Sequence, residues 1–162
     1  MIGDNEILNK AVALINQQST MTLATYSKKG VWAAPVYYAF YKGLFFFFSV
    51  PETRHITEAI ERDQASATIY SFSNTWQGIS GIQMSGYVRH VSPSLTGIQA
   101  VKAYIKKFPF TMDFFENDQA PDLESFGKRF RVKLYRFDPT LVFYLENQIK
   151  FGFRTEIKFN KL

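Results

Sequence analysis

The sequence predicts a mainly β protein of the α+β class, built as a small β-barrel with added helices. Short strand-like segments follow one another closely, and only three segments have helical periodicity. Aromatic residues make up 17% of the chain. Because aromatic and β-branched residues favour strands, their concentration in short runs indicates a sheet-based core. The length of 162 residues fits one domain, 1–162, that buries a substantial core.

The individual elements follow from periodicity and turn residues. Residues 4–18 place apolar side chains at spacings of three and four, which indicates an amphipathic helix. Asp4 is a suitable cap for its first turn. The other predicted helices are 53–62 and 93–108, and the predicted strands are 20–27, 31–41, 44–50, 65–72 and 76–91, with further strands within 128–161.

The second predicted strand contains an unusual proline. Pro35 lies within VWAAPVYYAFY, and proline cannot donate a hydrogen bond to a β-ladder. The segment is therefore expected at a sheet edge, at a bulge or beside a ligand. An edge strand with small residues such as Ala33 and Ala34 could offer backbone N–H and C=O groups to a ligand. An ordinary aromatic strand is the more common explanation.

The segment 44–56, LFFFFSVPETRHI, passes from an entirely apolar strand into hydroxyl and cationic residues. A strand that is apolar at every position is expected to be covered on both faces. Ser49, Pro51 and Glu52 fit the spacing of a capping box, and Thr53 is a second candidate cap. The segment therefore predicts a strand that ends where a helix begins.

The cationic residues at this helix start predict a possible anion site. Unpaired N–H groups and the positive end of the helix would lie beside Arg54 and His55, an arrangement that attracts phosphate or carboxylate. The alternative is a simple helix start, with Arg54 paired to Glu58 and Glu58 to Arg62 on the solvent face. From this segment alone the alternative is favoured, because capping motifs are common.

A long strand at 76–90, WQGISGIQMSGYVRH, contains three glycines. Glycine weakens a strand and often marks a bulge, a bend or the close approach of another group. A period of two places Gly81 and Gln83 on one face, so Gln83 lies next to a position without a side chain. A flat polar ring could lie there, and barrel bending is an equally good explanation.

Several kinds of chemistry are excluded or unsupported by the composition. The chain has no cysteine, which excludes disulfides, thiolate nucleophiles and cysteine metal sites. His55 and His90 form no metal-spaced motif, and no phosphate-binding glycine loop or serine hydrolase motif is present. The net charge of +5 favours anionic partners. The N-terminus lacks an apolar signal core and no window resembles a membrane span, so a cytoplasmic protein is expected.

The order of these segments resembles the FMN-binding split-barrel family, which includes pyridoxamine-phosphate oxidase. It is most similar to an uncharacterised bacterial branch, the YhbP-like proteins. The resemblance covers about residues 7–155 and implies a six- to eight-stranded antiparallel split β-barrel with flanking helices. The segments that carry it are KKGVWAAPVYYAF, LFFFFSVPETRHI, ASATIY, GIQMSGYVR and, at 146–153, ENQIKFGF.

The resemblance also implies a cofactor and the residues that bind it. The family binds FMN between the subunits of a homodimer. By position, the run at 53–55 matches the family's flavin-phosphate residues, and the hydroxyl at 49 precedes it. Residues 35–37 match the strand along the flavin ring, and position 83 faces the cofactor. The implied cofactor-binding residues are Pro35, Val36, Tyr37, Ser49, Thr53, Arg54, His55 and Gln83; no catalytic side chain and no metal site are implied.

Two departures from the family pattern limit what the resemblance implies. His55 stands where the oxidase has lysine, so the phosphate site would carry less positive charge at neutral pH. The C-terminal segment lacks the tryptophan- and arginine-containing pattern that binds the vitamin substrate, which argues against vitamin B6 oxidation. The expectation is an FMN-dependent oxidoreductase acting on an unknown small molecule, with the flavin supplying the redox chemistry.

Two other functions compete with this expectation. Some split barrels bind haem, and His55 or His90 would then be the axial ligand. A basic, aromatic-rich barrel could instead bind single-stranded nucleic acid. The basic residues for that role are Lys128, Arg129, Arg131, Lys133 and Arg136. An exposed face of an antiparallel strand explains their spacing better, so nucleic-acid binding is the least favoured of the three.

Overall fold

The computed structural model describes residues 3–114 and 131–159. Within these ranges, eight strands form one antiparallel sheet, and three α-helices flank it. The strands are β1 (Thr20–Ser27), β2 (Gly30–Tyr37), β3 (Ala39–Tyr41), β4 (Leu44–Ser49), β5 (Ala65–Tyr70), β6 (Ser80–His90), β7 (Lys133–Glu146) and β8 (Arg154–Glu156). The helices are α1 (Asp4–Gln17), α2 (Arg54–Arg62) and α3 (Leu95–Lys107), followed by a 3₁₀ helix at Pro109–Phe114.

The sheet curls because consecutive strands lie at its two ends. The strand order is β2-β1-β5-β6-β7-β4-β3, with β8 paired to β7. Only Tyr38 separates β2 from β3, so the chain itself joins the two ends of the sheet. The buried Tyr38 fixes this corner, since its hydroxyl donates to the carbonyl oxygen of Ile15 at 2.6 Å. The predicted split β-barrel with flanking helices is confirmed.

The proline-containing segment lies at a sheet edge, as predicted. β2 is the terminal strand of the sheet order, and Pro35 pairs with Thr22 on its single neighbour β1. The prediction of one continuous strand over 31–41 was wrong, because the chain leaves β2 at Tyr37 and starts β3 at Ala39.

The phenylalanine run of β4 is covered on both faces, as its sequence predicts. Phe45 and Phe47 point into the barrel core, and Phe47 stacks with Tyr135 at 6.0 Å between ring centroids. Phe46 points the other way and packs with Val101 of α3. All three phenylalanines are fully buried. Burial of each such side chain contributes about 1.5–3 kcal/mol, so β4 is a major source of stability.

The long strand β6 is shorter than predicted and contains a bulge. It begins at Ser80, and residues 76–79 lie outside it. Its register with β7 shifts between Ser85 and Gly86. A Cβ atom at Gly86 would contact the carbonyl oxygen of Asp138 and lie 2.9 Å from the Cα of Pro139. Gly86 therefore allows the close approach of β7 at the bulge.

The helices close the open sides of the curled sheet. α1 buries Ile7, Ala11 and Leu14 against the barrel core. α2 follows β4 and contacts β1, β2 and β6, so it covers one end of the barrel. None of the helices in the described ranges combines the length and apolar character needed to cross a bilayer.

Candidate cofactor-binding site

Three predicted site residues form a hydrogen-bonded cluster where β4 leads into α2. The hydroxyl oxygen of Ser49 lies 2.9 Å from Nε2 of His55 and 3.2 Å from Oγ1 of Thr53. Thr53 Oγ1 also lies 3.4 Å from His55 Nε2 and donates to the carbonyl oxygen of Val50 at 2.8 Å. Two hydroxyls and one imidazole nitrogen thus face one another within one turn of the helix start.

The start of α2 leaves backbone donors available next to this cluster. Thr53 is the N-cap in an extended conformation, and its side chain accepts no helix N–H. Among the described residues, no acceptor lies against the N–H groups of Arg54 and His55. The predicted Ser49 cap does not form, because α2 begins at Arg54 and Thr53 occupies the N-cap position. The positive end of α2 is therefore open beside three polar side chains.

The histidine of the cluster is neutral under ordinary conditions. Burial of the His55 side chain lowers its pKa below the usual value of 6.5. At neutral pH the imidazole therefore carries no charge and makes one donated and one accepted hydrogen bond at most. Ser49 is itself buried, so the pair lies at the inner side of the cluster.

The Arg54 side chain contacts the turn between β1 and β2, and among the described residues no contact joins it to the Ser49 cluster. Its Nε donates to Oε1 of Glu58 at 2.7 Å, and one Nη2 hydrogen is donated to the carbonyl oxygen of Gly30 at 3.1 Å. The guanidinium carbon lies 4.8 Å from the ring centre of Trp32. The predicted pair between Arg54 and Glu58 is present, and the arginine has further partners that the sequence did not indicate.

Glu58 was predicted on the solvent face of α2, and this was wrong. Only 5% of Glu58 is exposed, and its carboxylate accepts hydrogen bonds from Thr25 and Ser27 of β1, each at 2.7 Å. The hydrogen bond from Arg54 and those from the two hydroxyls lower its pKa to about 2, so Glu58 is ionised at neutral pH.

The rotation of α2 that buries Glu58 also affects Arg62 and Ile60. Arg62 does not pair with Glu58; it lies near Glu61, at 3.8 Å, and over the ring of Tyr26. Ile56 and Ala59 are the buried apolar residues of the helix, whereas Ile60 is 49% exposed.

A row of paired residues crosses the outer face of the sheet and contains two predicted site residues. Its members, in strand order, are Pro35, Thr22, Thr68, Gln83 and Phe143. Directly paired residues project from the same face, and all five side chains are exposed or half-buried. Three strand spacings separate Pro35 from Gln83, which corresponds to about 14 Å.

The Gln83 end of this row borders a shallow depression of about 330 Å³. Its walls come from the outer faces of β1, β5, β6 and β7. The lining includes Thr22, Ala24, Ser66, Thr68, Ser85 and Leu141. Because most of these side chains are small or carry hydroxyls, a flat group could approach the sheet closely here.

The other predicted residues of β2 differ in what they can contact. Val36 is buried in the barrel core, so its side chain faces away from the outer surface. Tyr37 is half-exposed, and its ring packs edge-on against Phe108 and Phe110, with centroids 5.3 and 6.1 Å away. Tyr37 therefore belongs to an aromatic cluster with the end of α3.

Gly81 does not leave open space beside Gln83, contrary to one interpretation of the sequence. A Cβ atom at Gly81 would lie 2.9 Å from the carbonyl oxygen of Ile69 and 3.5 Å from Cβ of Tyr70. The space is taken by the neighbouring strand β5, so the glycine serves the close pairing of β5 and β6.

The described residues named for the two competing functions lie on α2, on β6, on β7 and in the turn before β7. His90 is exposed, and its ring lies 5.7 Å from that of Tyr135. Lys128 and Arg129 lie outside the described residues. The predicted strand character starts only at Lys133, because Arg131 occupies a turn with φ of 54°. Arg136 lies 2.9 Å from a carboxylate oxygen of Asp138. Nucleic-acid binding gains no further support from these positions.

Solved structures with the same architecture confirm the fold. No protein-family model and no curated protein sequence matches the chain. A heme binding protein from Mycobacterium smegmatis aligns over 98% of this chain and 59% of its own, with 13% identity and a TM-score of 0.69. ChuZ from Campylobacter jejuni aligns over 98% of this chain and 61% of its own, with 8% identity and a TM-score of 0.73.

A third similar structure is a FAD-binding protein from Mesorhizobium loti. It aligns over 83% of this chain and 90% of its own, with 17% identity and a TM-score of 0.60. The chain spans about three fifths of the length of the first two proteins. At these identities the similarity establishes the architecture, a split β-barrel with flanking helices.

Proposed function

We propose that this protein is an FMN-binding flavoprotein that acts as an oxidoreductase on a small molecule. The observation that carries the proposal is the cluster of Ser49, Thr53 and His55 at the open start of α2. Solved proteins with this fold that bind flavin or haem support the presence of a cofactor.

The donors at the start of α2 suit a phosphate group. A phosphate could accept hydrogen bonds from the hydroxyl of Ser49 and from the amides of Arg54 and His55. The hydroxyl of Thr53 could join them only by turning away from the carbonyl oxygen of Val50, to which it donates here. Arg54 has five N–H donors in all, and its Nη1 group has no partner among the described residues. The site therefore offers several hydrogen-bond donors, and His55 could add a positive charge by taking up a proton.

The flavin ring would lie along the outer face of the sheet. Pro35 and Gln83 both project from that face, and the small side chains of the depression would allow a flat ring to lie close to the strands. The amide of Gln83 can donate to and accept from the polar edge of such a ring. Val36 could contribute only backbone groups, since its side chain lies in the core.

In this arrangement the flavin and the protein have separate roles. When bound, the flavin supplies the hydride or electron transfer. The chain supplies phosphate donors at α2, a flat surface for the ring and a hydrogen-bonding side chain at Gln83. No side chain of the site needs to act as an acid or base.

Haem is the second candidate cofactor, and the exposed imidazole of His90 is the observation that favours it. His90 has its ring at the surface beside Tyr135, where it could coordinate iron. His55 is less suitable, because its Nε2 already contacts Ser49 at 2.9 Å. Haem coordination at either histidine would remove the need for a phosphate site.

The absorbance spectrum of the purified protein tests the cofactor directly. We expect the near-ultraviolet and blue absorbance bands of oxidised flavin, and apo protein should recover them when titrated with FMN. Release by acid and chromatography against FMN, FAD and riboflavin standards would identify the flavin. A single intense haem band that His90→Ala removes would overturn the proposal in favour of haem.

We propose, in addition, that the protein is a homodimer with the cofactor between its subunits. Several large aromatic side chains are exposed on the single chain. Single exposed apolar residues are normal on a monomer, but several large ones indicate an interaction surface. They are Tyr70, Phe72, Trp76 and Phe151. A stable interface of this kind commonly buries over about 2,000 Å². Sedimentation at micromolar concentration should show a dimer; flavin-loaded protein that sediments only as a monomer would contradict this proposal.

A further inference from the structure

We propose that Glu58 is a positioning residue that holds the Arg54 guanidinium ready for the phosphate of the bound flavin. This inference rests on the proposed FMN-binding function and assigns a role to a residue that does not touch the cofactor. The structural basis is a buried carboxylate that anchors the side chain of Arg54, the first residue of α2.

The carboxylate of Glu58 is itself rigidly held. Oε1 accepts from Arg54 Nε and from Ser27 Oγ, and Oε2 accepts from Thr25 Oγ1, all at 2.7 Å. Both hydroxyls belong to β1, a strand inside the sheet order. The side chain of Glu58 is only 6% exposed, so the position of its oxygens is fixed by the barrel.

The guanidinium is restrained on further sides. Gly30 accepts one Nη2 hydrogen at 3.1 Å, and the Trp32 ring lies against the plane, 4.8 Å from the guanidinium carbon. The carbonyl oxygen of Lys29 also accepts from Nη2, at 3.5 Å, so these contacts use the Nε edge and Nη2. The Nη1 group remains, and among the described residues nothing accepts from it. Arg54 therefore holds its Nη1 group in one defined orientation, available to a ligand.

A fixed edge matters because an unrestrained arginine loses rotamer freedom when it binds a ligand. Ordering such a side chain on binding reduces the affinity for the ligand. The contacts with Glu58 and Trp32 already order the Arg54 side chain in the folded protein, before a ligand binds. A phosphate would then meet a guanidinium already held in one rotamer.

The charge of Glu58 makes this role distinguishable from simple electrostatics. Its negative charge opposes the binding of an anion, so an effect through charge alone predicts that removing Glu58 strengthens FMN binding. A positioning role predicts the reverse, because Arg54 is released when its acceptor is lost. The sign of the change therefore separates the two explanations.

The test compares Glu58→Ala with Glu58→Gln in the full-length protein, using FMN and riboflavin as probes. The measured quantity is the riboflavin dissociation constant divided by the FMN dissociation constant, which reports phosphate recognition and not general stability. We expect Glu58→Ala to reduce this ratio about tenfold, toward the Arg54→Ala value. Glu58→Gln should stay within about threefold of wild type, because its amide oxygen can still accept from Arg54 Nε.

Glu146→Ala is the matched control at another position in the barrel. Glu146 is also buried and pairs with a cation, Lys10, at 3.0 Å, but it lies outside the proposed site. This variant should lower the free energy of unfolding without changing the ratio of the two dissociation constants. If Glu58→Ala does not fold, Thr25→Val removes one hydroxyl that holds the carboxylate and should reduce the ratio about threefold.

Two results would overturn the inference while leaving the proposed function intact. One is a rise in FMN affinity in both Glu58→Ala and Glu58→Gln. The other is a wild-type ratio in Glu58→Ala, or in Thr25→Val where that variant replaces it, when Arg54→Ala has lost phosphate recognition. A wild-type protein that binds FMN no better than riboflavin would instead refute the phosphate site, and the role of Glu58 with it.

Discussion

Replacing Gly86 by alanine is expected to destabilise the fold by about 3 kcal/mol, although it adds a single methyl group. The new Cβ would contact the carbonyl oxygen of Asp138 and would lie 2.9 Å from both the carbonyl carbon of Asp138 and the Cα of Pro139. These are backbone atoms of β7 at the bulge, so no side-chain rotation can relieve the contact. Urea unfolding followed by circular dichroism would measure the loss.

Gly97→Ala is the matched control for this substitution. A Cβ at Gly97 of α3 would meet its nearest neighbours at 3.4 Å, which is ordinary contact. Alanine also favours a helix over glycine by about 0.5–1 kcal/mol. The variant should therefore be as stable as wild type or slightly more stable. An equal, small effect of both substitutions would show that β7 can move away from Gly86.

The strands could be predicted from the sequence where local features determine them. β1 and β4 match their predicted ranges within one residue, because turn residues bound them and their side chains favour strands. The edge position of Pro35 also follows from a local property, the missing N–H. Such features depend on the residue itself and on its immediate neighbours.

The break between β2 and β3 could not be predicted, because its cause lies elsewhere in the chain. The hydroxyl of Tyr38 bonds to Ile15 at the end of α1, and the two strands pair with β1 and β4 at opposite ends of the sheet. Residues 31–41 carry no turn signal at this point. The corner results from closing the barrel.

The site shows the same division between local and long-range causes. The spacing of Arg54 and Glu58 predicts their ion pair, and the pair is present. The burial of Glu58 depends on how α2 is rotated over the barrel end, where Thr25 and Ser27 donate hydrogen bonds to its carboxylate. Trp32 had no sequence signal that linked it to Arg54, because the two residues meet only in the folded chain.

The donors near Ser49 could be predicted as a group but not in their arrangement. A strand end followed by hydroxyl, arginine and histidine indicates an anion site at a helix start. The sequence did not show that Ser49 would bond to His55 instead of capping α2. It also did not show that Arg54 would turn toward Gly30. Side-chain directions at a helix start depend on the packing of that helix.

We expect Arg54→Ala to weaken FMN binding about ten- to a hundredfold, with little effect on riboflavin. A charge-assisted hydrogen bond to phosphate contributes about 1.5–3 kcal/mol, and riboflavin lacks the phosphate. Isothermal titration of both flavins into apo protein would measure the difference. If Arg54→Ala binds both flavins like wild type, the start of α2 does not hold the phosphate.

His55 should make FMN binding depend on pH in a defined direction. In the free protein burial lowers the His55 pKa, whereas a phosphate dianion beside it would favour the imidazolium and raise the pKa. Between the two pKa values the complex holds more protons than the free protein. FMN affinity should therefore rise as pH falls through the raised pKa, by at most about tenfold per pH unit, and should level off above that pKa, where His55 is neutral in the complex as well.

The titrations belong above about pH 6, where a phosphate monoester remains largely a dianion. His55→Ala should remove the slope, because no other group of the Ser49 cluster titrates in this range. His90→Ala is the matched control, since His90 lies on β6 outside the cluster, and it should keep the wild-type slope. Riboflavin affinity should vary little with pH in all three proteins. An unchanged slope in His55→Ala would place the phosphate away from Ser49, Thr53 and His55, whatever the effect of Arg54.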